Sequence, residues 1–194
     1  MKYCSNCAAP LQFRIPEGDN LPRYVCDSCD TIHYQNPNIV AGCIPEWQNQ
    51  LLLCRRAIEP RHGFWTLPAG FMENAETTVE AAQRETAEEA GASVSVSDLF
   101  AVFNLPHINQ VYMMFRSQLA EPVFSAGIES LEVKLFREPE IPWDELAFPV
   151  IHQTLQCYFE DLSRGSFRLH VGDLLLVDRE SREFETRFLN LSDE

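Results

Sequence analysis

The chain has no uninterrupted apolar stretch long enough to span a membrane, and its opening residues, MKYCSNCAAP, hold no apolar run of signal-peptide length. A helical membrane protein is therefore not expected, and the cytoplasm is the expected location. Positive charge is also scarce: 15 Lys and Arg stand against 29 Asp and Glu, for a net charge of -14. A surface of that sign repels a polyanion, which argues against nucleic acid as the routine partner. Internal repeats and low-complexity segments are absent as well. What remains is a chain of 194 residues that can bury a full core, expected to form one principal domain plus something small.

Cysteine, by contrast, is present seven times. Four of the seven form two knuckles, Cys4-x-x-Cys7 and Cys26-x-x-Cys29, separated by 18 residues. Four thiolates at that spacing suit one structural Zn2+ in tetrahedral geometry, which can fold a segment too small to have its own core. Disulfides or a redox pair are the competing reading, but the short turn-rich surroundings lack the βαβ pattern of a thioredoxin-like site. Residues 1–36 carry Lys2, Arg14 and Arg23 against Glu17, Asp19, Asp27 and Asp30. A ribbon without a basic face is expected to pack on the main domain or build a dimer contact rather than bind nucleic acid. Cys43, Cys54 and Cys157 lie in apolar runs and read as buried free thiols.

The densest chemistry lies between Gly70 and Ala92, which reads GFMENAETTVEAAQRETAEEAGA. In a helix, Glu85, Glu88 and Glu89 stand at i, i+3 and i+4 and share one face. Ala81, Ala82, Ala92 and Ser93 are the residues a turn away, so no basic side chain is expected to offset the repulsion there, whereas a bound cation would. Carboxylate oxygens suit Mg2+ or Mn2+, ions that share phosphate oxygens with a substrate. Glu80 precedes Arg84 by four residues, the favourable order for an ion pair, and Glu76 sits near the helix start, where the dipole favours an anion. A solvated surface helix is the competing reading of any glutamate-rich run.

Around that helix the pattern predicts strands at Asn38–Pro45 and Gln50–Arg56 flanking a polar turn at Glu46–Asn49, then at Val94–Phe103, Val111–Leu119 and Glu132–Phe136. Ile151, Leu155, Tyr158 and Leu162 mark a second amphipathic helix. Two helices bracketing a mixed sheet give an α/β sandwich. The expected domains are a zinc ribbon at 1–36, a catalytic domain at 37–165 and a C-terminal extension at 166–194 of no assigned role, with one weak strand at Asp173–Val177. Arg55 and Arg56, at a strand end, are candidate phosphate contacts, and Gln110 and Tyr112 are candidates for reading or stacking on a base or flavin ring.

The spacing Gly70, Glu76, Arg84-Glu85, Glu88-Glu89, Gly91 fixes seven identities, with an accidental match on the order of one in 10^8 at any start. In this the chain resembles the Nudix hydrolases, which cleave nucleoside diphosphates linked to another moiety. Thr86 and Ala92 replace bulky aliphatics usual in that family; with Ala81, Ala82, Ala87 and Ala90 they suggest a helix seated close to its sheet. The resemblance implies a Nudix α/β/α sandwich, with the Gly70 carbonyl, Glu85, Glu88 and Glu89 holding two or three Mg2+ or Mn2+ ions and Arg84 orienting the glutamates. It also implies a carboxylate from outside the helix, for which Glu129 is the candidate, as extra ligand or general base, with Glu132 structural.

Ribbon, Tyr34-Gln35-Asn36-Pro37, Gly63-x-Trp65-Thr66-Leu67-Pro68-Ala69-Gly70, Glu129-Ser130-Leu131-Glu132 and Leu146-Ala147-Phe148 together look like a zinc-ribbon subgroup, the plant plastid FAD and ADP-ribose diphosphatases. That similarity implies cleavage of FAD or ADP-ribose to AMP plus FMN or ribose 5-phosphate, and suggests a homodimer. NADH diphosphatases also carry a ribbon, but their Ser-Gln-Pro-Trp-Pro-Phe-Pro motif is replaced here by Phe103-Asn104-Leu105-Pro106-His107-Ile108-Asn109-Gln110-Val111-Tyr112, so NADH and NAD-capped RNA rank second. A nucleotide sensor without hydrolysis is a further alternative, disfavoured because every glutamate of the pattern is present.

Overall fold

Alternate residues of a strand face opposite sides of its sheet, and the run QLLLCRR uses both sides. In the computed structural model, which describes residues 1–178, 180 and 183–189, Leu51 and Leu53 join one buried cluster, and Leu52 and Cys54 join another. A strand apolar on both faces belongs inside a layered fold. The chain divides into two units, Met1–Pro37 and Asn38–Glu194.

The first unit is a three-stranded antiparallel sheet of β1 (Gln12–Arg14), β2 (Arg23–Val25) and β3 (Ile32–His33). Tyr24 pairs with both Phe13 and His33, and the Phe13 and Tyr24 rings lie 4.9 Å apart. Its buried residues are few: Cys4, Pro16, Val25 and Cys26. Strands this short cannot supply a core by themselves.

The second unit holds β4 (Asn38–Trp47), β5 (Gln50–Arg56), β6 (Trp65–Thr66), β7 (Ala69–Phe71), α1 (Thr78–Ala90), β8 (Val94–Leu105), β9 (Gln110–Leu119), β10 (Ser130–Phe136), α2 (Pro149–Arg164), β11 (His170–Asp178) and β12 (Glu183–Phe188). Its sheet runs in the order β10-β5-β4-β9-β8-β11-β12, with β6 on β5 and β7 on β4. The β4–β9 and β8–β11 pairs are parallel and the rest antiparallel, so the sheet is mixed as expected. Val40, Ile44, Leu51, Leu53, Phe100 and Phe103 pack with Val150, Ile151, Leu155 and Tyr158 of α2. Ala41, Cys43 and Phe115 pack with Ala81 and Ala82 of α1, and Leu52 and Cys54 with Ala90. The helices thus cover opposite faces, giving the α/β/α sandwich, and burying one leucine there is worth about 2 kcal/mol.

The close seating of α1 is visible in the bonds it makes. Ala81, Ala82 and Thr86 are fully buried, the Cys43 thiol lies 3.4 Å from the Ala82 carbonyl, and the Thr86 hydroxyl donates to that same carbonyl at 2.8 Å. Cys43, Cys54 and Cys157 are buried free thiols. The β4–β5 turn is tighter than Glu46–Asn49, since Gln48 and Asn49 alone take the left-handed conformation of a two-residue hairpin loop. Leu162, expected on the apolar face of α2, is 38% exposed, while its neighbour Asp161 is buried.

The largest departure lies after Gly165. The extension forms a complete hairpin, not one weak strand: β11 runs parallel to β8 with His170 opposite Ala101 and Asp173 opposite Asn104, and β12 closes the edge. Asn104 Nδ2 donates to Asp173 at 2.9 Å, and the Thr186 hydroxyl donates to Gln153 of α2 at 2.8 Å. Asp161 and His170, both buried, meet at 2.8 Å beneath it. Residues 179, 181–182 and 190–194 of the extension lie outside the described residues.

Candidate active site

Helix α1 begins with a capping box. Thr77 Oγ1 accepts from the Glu80 amide at 3.2 Å, and Glu80 accepts from the Thr77 amide at 2.7 Å. This use of Glu80 displaces the expected Glu80–Arg84 pair. Arg84 instead grips Glu76 through Nε and Nη2 at 3.0 and 2.8 Å, and donates through Nη1 to Glu85 at 2.7 Å and Glu88 at 3.1 Å. Its Nη2 also donates to the Phe71 carbonyl at 3.2 Å. Helical spacing alone left the glutamate face without a basic neighbour, while the family resemblance made Arg84 its orienting group; the guanidinium reaches that face from the helix itself and ties it to the loop before the helix. Arg84 holds the Glu76 carboxyl down at about 2.

Glu85, Glu88 and Glu89 do share one side of α1, and they face β7. A Cβ at position 70 would overlap the Glu85 carboxylate, so only glycine lets that carboxylate lie against the strand. Glu89 is 6% exposed and accepts from the Ala69 amide at 3.1 Å. Burial pushes the Glu89 carboxyl up to about 8, with Glu85 and Glu129 acting the same way and the Ala69 amide and Arg56 opposing. Burial also raises Glu85, outweighing its bond to Arg84.

Glu129 reaches the same place from another direction. The loop before β10 lies along the end of α1, where the Ser125 amide donates to the Ala90 carbonyl at 2.8 Å and the Gly127 amide to the Glu89 carbonyl at 3.1 Å. Helix ends leave such carbonyls unsatisfied, which makes them a ready anchor. A Cβ at 127 would collide with the Glu88 carbonyl, so glycine permits the contact. The Glu129 carbonyl then accepts from Ala57 at 2.8 Å, and its side chain stands at the cavity wall.

That cavity has a volume of about 1220 Å³, generous for a small-molecule site. Gly70, Arg84, Glu85, Glu88, Glu89 and Glu129 line it, and so do Arg56, Gln110 and Tyr112. Arg55 does not. As strand neighbours the two arginines point to opposite faces, and Arg55 donates to the Gly63 carbonyl at 2.9 Å with Glu132 3.9 Å away. Arg56 lies over the Phe148 ring at 5.1 Å and forms no ion pair among the described residues. Sequence reasoning missed Arg61, Phe148, Leu174, Leu176 and Phe184, all on the cavity wall. The Leu-Ala-Phe run before α2 was the available signal for Phe148; a lone arginine in a turn offers none.

Glu85, Glu88, Glu89 and Glu129 bring hard carboxylate oxygens to one cavity, the donor type that Mg2+ or Mn2+ takes once the acids are ionised. In the ribbon, the Cys4, Cys7, Cys26 and Cys29 sulfurs all lie within 4.8 Å of one another, with Cys4–Cys29 at 3.7 Å and Cys7–Cys26 at 3.4 Å. Tetrahedral zinc at ordinary Zn–S lengths sets sulfurs about 3.8 Å apart, so this cluster fits the ion closely. The Asn6 amide and His33 Nε2 lie 3.4 and 3.3 Å from Cys4 Sγ, the kind of outer contact that orients a thiolate ligand.

Two family models match the chain: the Nudix N-terminal zinc ribbon over residues 2–35 and the NUDIX domain over residues 36–152. The chain belongs to the Nudix family. It is an enzyme of the pyrophosphatase type. The crystal structure of a NUDIX hydrolase from Nitrosomonas europaea is 58% identical, covers 89% of this chain and 99% of its own, and superposes with a TM-score of 0.85. An ADP-ribose pyrophosphatase of Methanocaldococcus jannaschii is 31% identical over 121 residues, 59% of this chain and 69% of that protein. The NAD-capped RNA hydrolase NudC of Chromobacterium violaceum is 34% identical over 94 residues, 48% of this chain but only 33% of that protein. Among the described residues no helix is long and apolar enough to cross a membrane.

Proposed function

We propose that this Nudix enzyme hydrolyses the diphosphate of a dinucleotide, ADP-ribose or FAD, releasing AMP with ribose 5-phosphate or FMN. The observation that carries the reading is one cavity bounded by the four carboxylates Glu85, Glu88, Glu89 and Glu129, by Arg56, whose Nε donates to the Pro60 carbonyl at 2.9 Å, and by apolar and aromatic side chains. The 31% identity to the archaeal ADP-ribose pyrophosphatase supports that substrate class.

In this reading the Gly70 carbonyl, Glu85, Glu88 and Glu89 hold two or three Mg2+ or Mn2+ ions. Bound there, the cations neutralise phosphate oxygens and lower the pKa of a water nucleophile. Arg84 keeps Glu85 and Glu88 in position and does not touch substrate. Glu129, exposed at the cavity on its anchored loop, serves as an extra ligand or takes a proton from the attacking water. Arg56 and Arg61, both on the cavity wall, meet phosphate. Tyr112 is buried on the wall, and Gln110 beside it offers both a donor and an acceptor to a ring edge. The cytoplasm is the compartment we assign.

The similarity to NudC favours a second reading, cleavage of NADH or an NAD cap. A substrate panel separates the two. Purified protein with Mg2+ is given ADP-ribose, FAD, NADH and a sugar nucleotide, and products are resolved by chromatography. The proposal expects the highest kcat/KM on ADP-ribose or FAD; preference for NADH replaces it with the second reading.

A further inference from the structure

The extension supplies three apolar residues of the cavity wall, Leu174, Leu176 and Phe184. On β11, Leu174 and Leu176 are two residues apart and share a face. Phe184 of β12 lies directly opposite Leu176 in the antiparallel register, so the two side chains are neighbours on that face. All three line the cavity whose other end carries the glutamates. Their position is secured along the whole hairpin, by the parallel pairing to β8, the Asn104–Asp173 and Gln153–Thr186 bonds, and Phe188 packed 6.0 Å from Phe103.

His107 joins this end of the cavity. Its ring is 5.3 Å from that of Phe184, and its Nδ1 is shut off from solvent with no hydrogen-bond partner among the described residues. Leu105 and Ile108 complete the surroundings. Apolar side chains with one imidazole ring among them form a wall suited to a flat heterocycle, which offers faces to pack.

We propose that the β11–β12 hairpin is the ring-recognition element of this enzyme: Leu174, Leu176 and Phe184 pack against the adenine or isoalloxazine ring of the dinucleotide, with the His107 ring beside Phe184 on the same wall. The inference rests on the dinucleotide reading for its substrate but on the hairpin alone for its site. It gives residues 166–194 a role in choosing the substrate and none in the chemistry.

Two arms test it. In the first, Phe184→Ala, Leu176→Asn and His107→Ala are assayed on FAD and on ADP-ribose. KM rises about tenfold, the cost of losing one ring contact, while kcat stays within about twofold. A rise for both substrates assigns the adenine ring to the hairpin, and a rise for FAD alone assigns the isoalloxazine. Phe184→Leu, which keeps an apolar contact, guards against misfolding and is expected between wild type and Phe184→Ala. In the second arm, saturation-transfer NMR is recorded with AMP, FMN and ribose 5-phosphate without metal. Transfer to AMP or FMN ring protons in wild type, reduced at least threefold in Phe184→Ala and absent for ribose 5-phosphate, is expected. If wild type hydrolyses no dinucleotide while this transfer persists, the proposed function falls and the ring site stands. Unchanged KM values in a turning-over enzyme, or equal transfer in wild type and variant, overturn the ring site.

Discussion

The guanidinium of Arg84 and the carboxylate of Glu76, eight residues apart in the chain, meet through two hydrogen bonds of 2.8 and 3.0 Å. That pair fastens the loop before α1 to the helix, and the remaining nitrogen of the guanidinium fastens Glu85 and Glu88. The placing of Glu85 and Glu88 therefore depends on one side chain, while Glu89 is held by the Ala69 amide.

Arg84→Ala removes partners from three carboxylates at once. Leaving these carboxylates without their shared cation is expected to destabilise the fold and lower its melting temperature. Metal affinity and kcat/KM are expected to fall by about 10- to 100-fold, the usual cost of losing a group that orients ligands. Lysine cannot grip Glu76 with two nitrogens while bonding Glu85, so Arg84→Lys is expected to recover only part of the loss. Urea denaturation and activity titrated against Mg2+ check both effects.

Glu89 couples stability to pH with the opposite sign from a paired acid. Its carboxyl is raised to about 8 in the fold from an ordinary 4.5, so the folded chain binds that proton more tightly than the unfolded one. Its contribution is present below pH 4.5 and lost as pH rises through about 8. Metal-free protein is thus expected to lose stability toward pH 8, and Mg2+ to bind more tightly there while releasing a proton. Glu89→Gln abolishes the titration. Its metal-free melting temperature at pH 8 is expected above that of wild type, with activity lower by on the order of 10^3-fold. A melting temperature unchanged by the substitution at pH 8 would count against the buried acid.

The zinc cluster predicts a separable loss. Cys26→Ser, which replaces a buried thiolate, is expected to take bound zinc from one equivalent to none by elemental analysis. Residues 1–37 are then expected to become protease-sensitive, since their few buried residues give no core to fall back on. Retention of one zinc by the variant would remove the four-cysteine assignment.

His170→Ala strips the fully buried Asp161 of its 2.8 Å partner. Asp161 keeps the Arg168 amide at 3.1 Å and Arg164 at 3.7 Å, so a destabilisation of about 1–3 kcal/mol is expected, with the hairpin that lines the cavity loosened first. Hydrogen exchange of the β11 amides, faster in the variant than those of β9, checks it.

How much could be read beforehand follows from how local each signal is. Cysteine spacing and the i, i+3, i+4 glutamates are set within a few turns of chain, so the ribbon and the helix face were both legible. The choice between Arg55 and Arg56 needed the strand's facing, which adjacent residues cannot disclose. The Glu76–Arg84 grip required the loop to fold back, and the competing capping box claimed Glu80 first. Least legible was the hairpin: charges interrupt its apolar residues, and its partner strand β8 lies 69 residues earlier at the Asn104–Asp173 pairing. Only the tertiary pairing shows that Leu174, Leu176 and Phe184 face the site.

The account stands most directly on whether the carboxylates of α1 cleave a diphosphate with a metal. AMP release from ADP-ribose and FAD should be quantified for wild type with Mg2+, for wild type with a chelator, and for folded Glu89→Gln with Mg2+. The account predicts AMP with ribose 5-phosphate or FMN from the first alone; equal AMP release from all three, or none from a folded, zinc-loaded wild type with Mg2+, would contradict it.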